Sequence, residues 1–131
     1  MGIAFCVVFK KDVPPYGKLG SDNMVLAGAH EKIDALAKKN GLSTLESFLS
    51  QDPDELADMM GMDADEMGLP PVEWFNASDG LAAVRALIAH LRENPKGIAK
   101  AKETVAELKQ VEVELIAASQ RKVKFRFALV P

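Results

Sequence analysis

The chain has 131 residues, enough for one domain with a true core and too few for two of ordinary size. Hydrophobic residues make up 48% and mean hydropathy is close to zero, which excludes an unstructured chain, and a lone cysteine excludes an internal disulfide. The net charge of −3 argues against nucleic acid as a partner, but it is unevenly spread: residues 40–84 hold ten acids and no Lys or Arg, while residues 85–131 hold ten Lys/Arg and five acids.

The run Ile3–Phe9 (IAFCVVF) is β-branched and aromatic and reads as a strand that is apolar on both faces, hence covered on both. It lacks a basic segment ahead of it, so no secretory leader is expected, and Cys6 stands where a myristoylation motif wants Ser or Thr; the expected setting is the cytosol. Pro14, Pro15, Gly17 and Gly20 make the next dozen residues a loop. Leu26, Ala29, Ile33, Leu36 and Ala37 recur at helical spacing over Met24–Lys39, and Gly41 is placed to end that helix in a left-handed conformation. Ser43-x-x-Glu46 has the form of a capping box before a short helix that buries Leu45, Phe48 and Leu49. Asp52-Pro53-x-Glu55 signals another start, for a short helix ending near Met60–Gly61.

Residues 62–79 read as the longest irregular stretch, with its acidic half exposed and Trp74 and Phe75 held in the core. Gly80–Arg92 then reads as a central helix, capped by Asn76 or Ser78, with Leu81, Val84, Leu87, Ile88 and Leu91 on one side and Ala82, Ala83, Ala86 and Ala89 on the other. Being apolar nearly all round, it is expected to be the rod that the other elements wrap. Asn94-Pro95 ends it and starts a last amphipathic helix, about Lys96–Ser119. Val123–Val130 alternates as a strand, with Val123, Phe125, Phe127 and Leu129 inward and Lys124 and Arg126 outward. The expected fold is therefore a single α+β domain over residues 1–131: mostly helical, about five helices packed on a small sheet of the N- and C-terminal strands, antiparallel by base rate. The doubly apolar first strand suggests a homodimer through sheet edges.

Chemistry is sparse. Asp63, Asp65 and Gly68 fit positions 1, 3 and 6 of a calcium loop, but Met67, Pro70 and Trp74 occupy positions 5, 8 and 12, so the stretch reads as a solvated acidic loop. Met59, Met60, Met62 and Met67 fit a gap-filling core edge better than a partner groove or a copper site. His30 and His90 lack a second ligand at metal spacing, and Cys6 sits mid-strand, where a nucleophile is out of place. No metal and no cofactor is expected, and nothing here has the form of a phosphate loop or a nucleophile elbow. Arg85 and Arg92, seven apart on one stripe of the central helix, could hold an anion, or else pair with acids of residues 52–66 or snorkel to solvent.

The MGIAFCVVF start, the DPDELADMMG turn-helix and the LPPVEWF-x-x-x-x-GLAAVRALIAHL run together resemble a family of small uncharacterised bacterial proteins. That resemblance implies a bacterial cytosolic protein and assigns no activity. The residues favour a non-enzymatic interaction domain whose acidic face, residues 46–79, meets a basic or amphipathic protein. Its contact residues would be Asp54, Glu55, Asp58, Met59, Met62, Asp63, Asp65 and Glu66. The rival is a small-ligand (anion) protein or enzyme with Arg85 and Arg92 in a pocket; a third possibility is that the acids balance the chain's own basic C-terminal third.

Overall fold

Ten residues of extended chain, β1 (Ala4–Val13), form the middle strand of a three-stranded antiparallel sheet in the order β2-β1-β3. The computed structural model describes residues 2–68 and 70–130, and the backbone alone of Met59, Ala64 and Met67. β1 runs four residues beyond the expected end, because it turns at Pro14–Tyr16 and pairs with β2 (Gly17–Leu19), a strand inside the stretch read as loop. On its other side β1 pairs with β3 (Phe125–Val130) from Ala4 opposite Val130 to Phe9 opposite Phe125, so the chain ends meet as the two strand patterns require.

Between the strands lie α1 (Met24–Lys39), α2 (Pro53–Met60), the single turn α3 (Ala64–Met67), α4 (Ala77–Glu93) and α5 (Ala101–Gln120), with a 3-10 turn at Glu46–Phe48. Four helices, not five, thus carry the packing; α3 is one turn within the stretch expected to be irregular. α1 keeps its expected ends: Gly41 takes φ 69° and the Leu42 N–H bonds back to the Ala37 carbonyl at 2.8 Å. α5 starts five residues later than Asn94-Pro95 suggests, since residues 95–100 stay in turns and Lys100 sits at φ 55° before it.

Phe5, Val7, Phe9, Phe125 and Phe127 cover one sheet face and meet Leu26 and Ile33 of α1, Val84, Leu87 and Leu91 of α4, and Leu108, Val111 and Leu115 of α5. The element that the others wrap is α5, which packs on α4, α1 and β1, whereas α4 packs chiefly on α5. α4 is a helix with buried leucines, but its alanine side is not enclosed: Ala82 and Ala89 are exposed and Ala86 half-buried. A methyl group offers little area to remove from water, so this side has little drive toward the core. Gly80 marks the closest approach of α4 to the sheet, where a Cβ would collide with the Phe125 ring.

The opposite sheet face, Ala4, Cys6, Val8, Arg126 and Ala128, is covered too, as the doubly apolar β1 implied. The outward placing expected for Arg126 fails: it is 7% exposed, lies 5.4 Å from the Trp74 ring centroid and donates from Nη1 to the Ser50 carbonyl at 2.6 Å. Alternation fixes which face a side chain takes, not whether that face is wet. The outer edge of β3 is closed by a Ser50 N–H, by a Phe75–Phe125 pairing and by the Gln51 amide, which exchanges two bonds with the Leu129 backbone.

Candidate functional site

The segment from Glu46 to Asp79 is joined to the sheet through Ser50, Gln51, Trp74 and Phe75 and carries its acids mostly on the exposed side. Asp52 caps α2 by accepting from the Asp54 N–H at 2.9 Å, and Pro53 takes the first helical position; Asp63 caps α3 by accepting from the Asp65 N–H at 3.0 Å. The carboxylate that a calcium loop would use first is thus a helix cap, and among the described residues no three His, Cys, Asp or Glu side chains are grouped to hold a metal. The 3-10 turn is not started by Ser43: the buried Asp34 of α1 accepts from the Leu45 and Glu46 N–H groups at 2.6 and 3.0 Å.

Of the ten acids between residues 46 and 79, nine are exposed and Asp52 is half-buried. Among the described residues none of them forms an ion pair within 4.0 Å; the one such pair is Arg85 with Glu112, at 3.0 Å. Among the described residues no ion pair thus joins these acids to the basic C-terminal third, while the charges of Glu55 and Asp52 offset part of the burial penalty that lowers the Arg126 pKa. Met60 and Met62 are 57% and 48% exposed, so the core-edge role expected of this methionine group fails for both; the side chains of Met59 and Met67 lie outside the described residues. Exposed beside them are Asp54, Glu55, Asp58, Asp63, Asp65 and Glu66.

A hollow of about 390 Å³ opens in the same segment, floored by Leu49, Pro53, Leu56, Pro70, Pro71 and Phe75 and rimmed by Glu46 and Glu73. Trp74 and Phe75 are half-buried, Trp74 over Arg126 and Phe75 edge-on to Phe48 at 5.5 Å, which pins the hollow to the sheet. The reading of the residues passed over this hollow, because Leu49, Leu56 and Phe75 come from three elements with no common spacing.

Arg85 and Arg92 are both exposed on α4. Arg85 is committed to Glu112 of α5, not to residues 52–66, and neither arginine lines any of the five hollows described. His30 is half-buried, its Nδ1 donating to the Ala27 carbonyl at 2.9 Å and its ring tilted against Phe5; His90 is half-buried on α4. Cys6 has no accessible surface, and burial, a hydrogen bond to Asp22 and the charges of Asp22 and Glu114 push its thiol up to about 12. A thiol held neutral there has no nucleophilic use at ordinary pH.

Two carboxylates of α5 do work that no motif announces. Glu107 accepts from the Val25 and Leu26 N–H groups at 3.2 and 2.8 Å, capping α1 from another helix. Glu114, wholly buried, accepts from the Ser21 N–H at 3.1 Å and from Gln110. The available signal was negative: α1 has no acid in its first turn, so its free N–H groups needed an acceptor from elsewhere. Among the described residues no helix is long and apolar enough to cross a membrane. No protein-family model, curated protein or solved structure matches the chain.

Proposed function

We propose that this chain is a non-enzymatic interaction domain that receives a basic or amphipathic protein segment on its acidic face. The observation that carries the reading is the exposure of nine of the ten acids between residues 46 and 79 with no ion-pair partner among the described residues. Like charges left facing water cost folding energy through mutual repulsion, and they attract an oppositely charged partner and speed its encounter. The hollow adds a place to bind: a Lys or Arg of the partner lays its aliphatic stem on Leu49, Leu56 and Phe75 and its head against Glu46 and Glu73. Met60 and Met62 supply adaptable apolar contact beside it. The bacterial cytosolic setting, and the resemblance to a family of small bacterial proteins, belong to the same proposal.

The test is titration with a basic amphipathic peptide, followed through Trp74 fluorescence and calorimetry. Binding is expected at low salt, weakening about tenfold or more toward 1 M salt, where the screening length falls to about 3 Å. Reversal of Asp54, Glu55 and Asp58 to Lys is expected to abolish it. Binding unchanged by that triple reversal would remove the acidic face as the contact surface.

A further inference from the structure

We infer that the chain also carries the complement of its own acidic face, a lysine-rimmed apolar trough along α1, and that the occupant of this trough is the α2–α3 knob of a second copy. The inference rests on the acidic-face reading and names its partner.

The trough lies between α1 and the turns before α5. Two hollows of about 340 and 390 Å³ adjoin along α1 and share Lys32, Ile98 and Ala99. Met24, Gly28, Lys32, Ala35 and Lys39 succeed one another along its α1 wall at steps of three or four residues, one solvent-side stripe of the helix. At 1.5 Å per residue the stripe runs about 22 Å, room for a short helix and the turn that follows it. The floor is apolar or backbone, from Met24, Val25, Ala29, Leu36, Ile98 and Ala99, and nothing lies within 4 Å of where a Gly28 Cβ would stand. Lys32, Lys39 and Lys100 line it, no carboxylate does, and among the described residues these lysines have no ion pair.

The knob has the opposite character at a matching size. α2 and α3 span Pro53–Met67, expose Met60 and Met62, and carry six exposed acids. The trough's apolar floor disfavours nucleic acid or free polyphosphate, which would leave that floor wet, and suits a segment with both acids and methionines. Within one molecule the knob does not fill the trough, since no described residue of α2 or α3 lines either hollow. A contact between different patches of identical chains is head-to-tail, so it grows as a chain or closes as a ring.

Sedimentation velocity tests this. The wild type at low salt is expected to show a mass that rises with concentration above the 14.2 kDa monomer and returns to it near 1 M salt. A trough variant (Lys32→Glu, Lys39→Glu, Lys100→Glu) and a knob variant (Asp54→Lys, Glu55→Lys, Asp58→Lys) are each expected to be monomeric alone and to associate when mixed. The mixture offers one intact trough to one intact knob, and the two reversed surfaces are again opposite in charge. Gly28→Leu fills the trough without touching charge and is expected to stop assembly with circular dichroism unchanged. A wild type still monomeric at about 1 mM in low salt would overturn the inference, since that is weaker than any useful docking; so would a trough variant, charged or filled, that assembles as the wild type does. A monomer that nevertheless binds a basic peptide through the acidic face would remove self-docking alone and leave the interaction domain standing.

Discussion

The carboxylates of α1 and α5 and those of residues 46–79 are the same chemical group put to opposite uses. Asp34, Glu107 and Glu114 point inward and accept backbone N–H groups from segments between 11 and 93 residues away in the chain, tying loops and helix starts to the core. The acids of the second region cap nothing beyond their own short helices, and nine of the ten are exposed, with no ion pair among the described residues. The first set makes the fold specific, because each buried acceptor satisfies donors that would be costly to leave unpaired. The second set adds little to stability and leaves a charged surface whose use lies outside the chain.

The contrast breaks most visibly at Asp34. Asp34→Ala strands two N–H groups, one of them on the fully buried Leu45, and is expected to cost about 3 kcal/mol by denaturant unfolding. Glu107→Ala is next: it uncaps α1, which has no capping side chain of its own, at about 2 kcal/mol. Hydrogen exchange at Val25 and Leu26 is expected to quicken more than exchange elsewhere. A loss below about 0.5 kcal/mol at both positions would erase the division between the two sets, since that is the ordinary scale of a surface change.

This division was not legible in the residues, while much of the fold was. Helical spacing and Gly41 identify α1 to the residue, and the apolar runs at the two ends identify the strands that pair. β2 was missed because three residues, Gly17–Leu19, are too short to show a period. The start of α5 was misplaced because Asn94-Pro95 has the form of a cap, whereas Gly97 and a left-handed Lys100 keep the chain in turns. The hub was assigned to α4 because its run is almost uncharged, yet α5, with buried Thr104 and Glu114 among its leucines, is the helix that others surround. Burial of polar groups depends on partners far along the chain, and local patterns do not carry that. In the candidate site the residues point to exposure of Asp63, Asp65 and Glu66 and leave the other acids open between solvent and the basic C-terminal third; they do not point to the hollow, the exposed methionines or the anchoring Arg126.

A smaller effect separates the regions by pH. The Cys6 thiol is raised to about 12 in the fold from about 9 when unfolded. Between those values the unfolded chain has released a proton that the folded chain keeps, so the stability tied to Cys6 is whole below pH 9 and falls as pH rises toward 12. Cys6→Ala is expected to flatten the alkaline fall of stability relative to the wild type and to leave the profile below pH 8 parallel.

The smallest expected change is the most informative about function. Asp54→Asn, Glu55→Gln and Asp58→Asn together remove three negative charges from α2 while leaving Asp52 to cap it. Two opposed terms set the outcome for stability. Asp54 and Glu55 sit in the first turn, where a negative charge favours the helix by about 0.3–1 kcal/mol each. Against this, six exposed acids across α2 and α3 repel one another, and neutralising three relieves part of that repulsion. The terms are of similar size, so unfolding free energy is expected to move by no more than about 0.5 kcal/mol in either direction. Binding of a basic peptide to the same variant is expected to fall about tenfold and to lose much of its salt dependence, because the charge removed forms no ion pair among the described residues and, apart from the pull of Glu55 on Arg126, acts on what approaches it. A variant that lost stability and kept its binding would invert the assignment, making these acids part of the fold and leaving the surface without its reason.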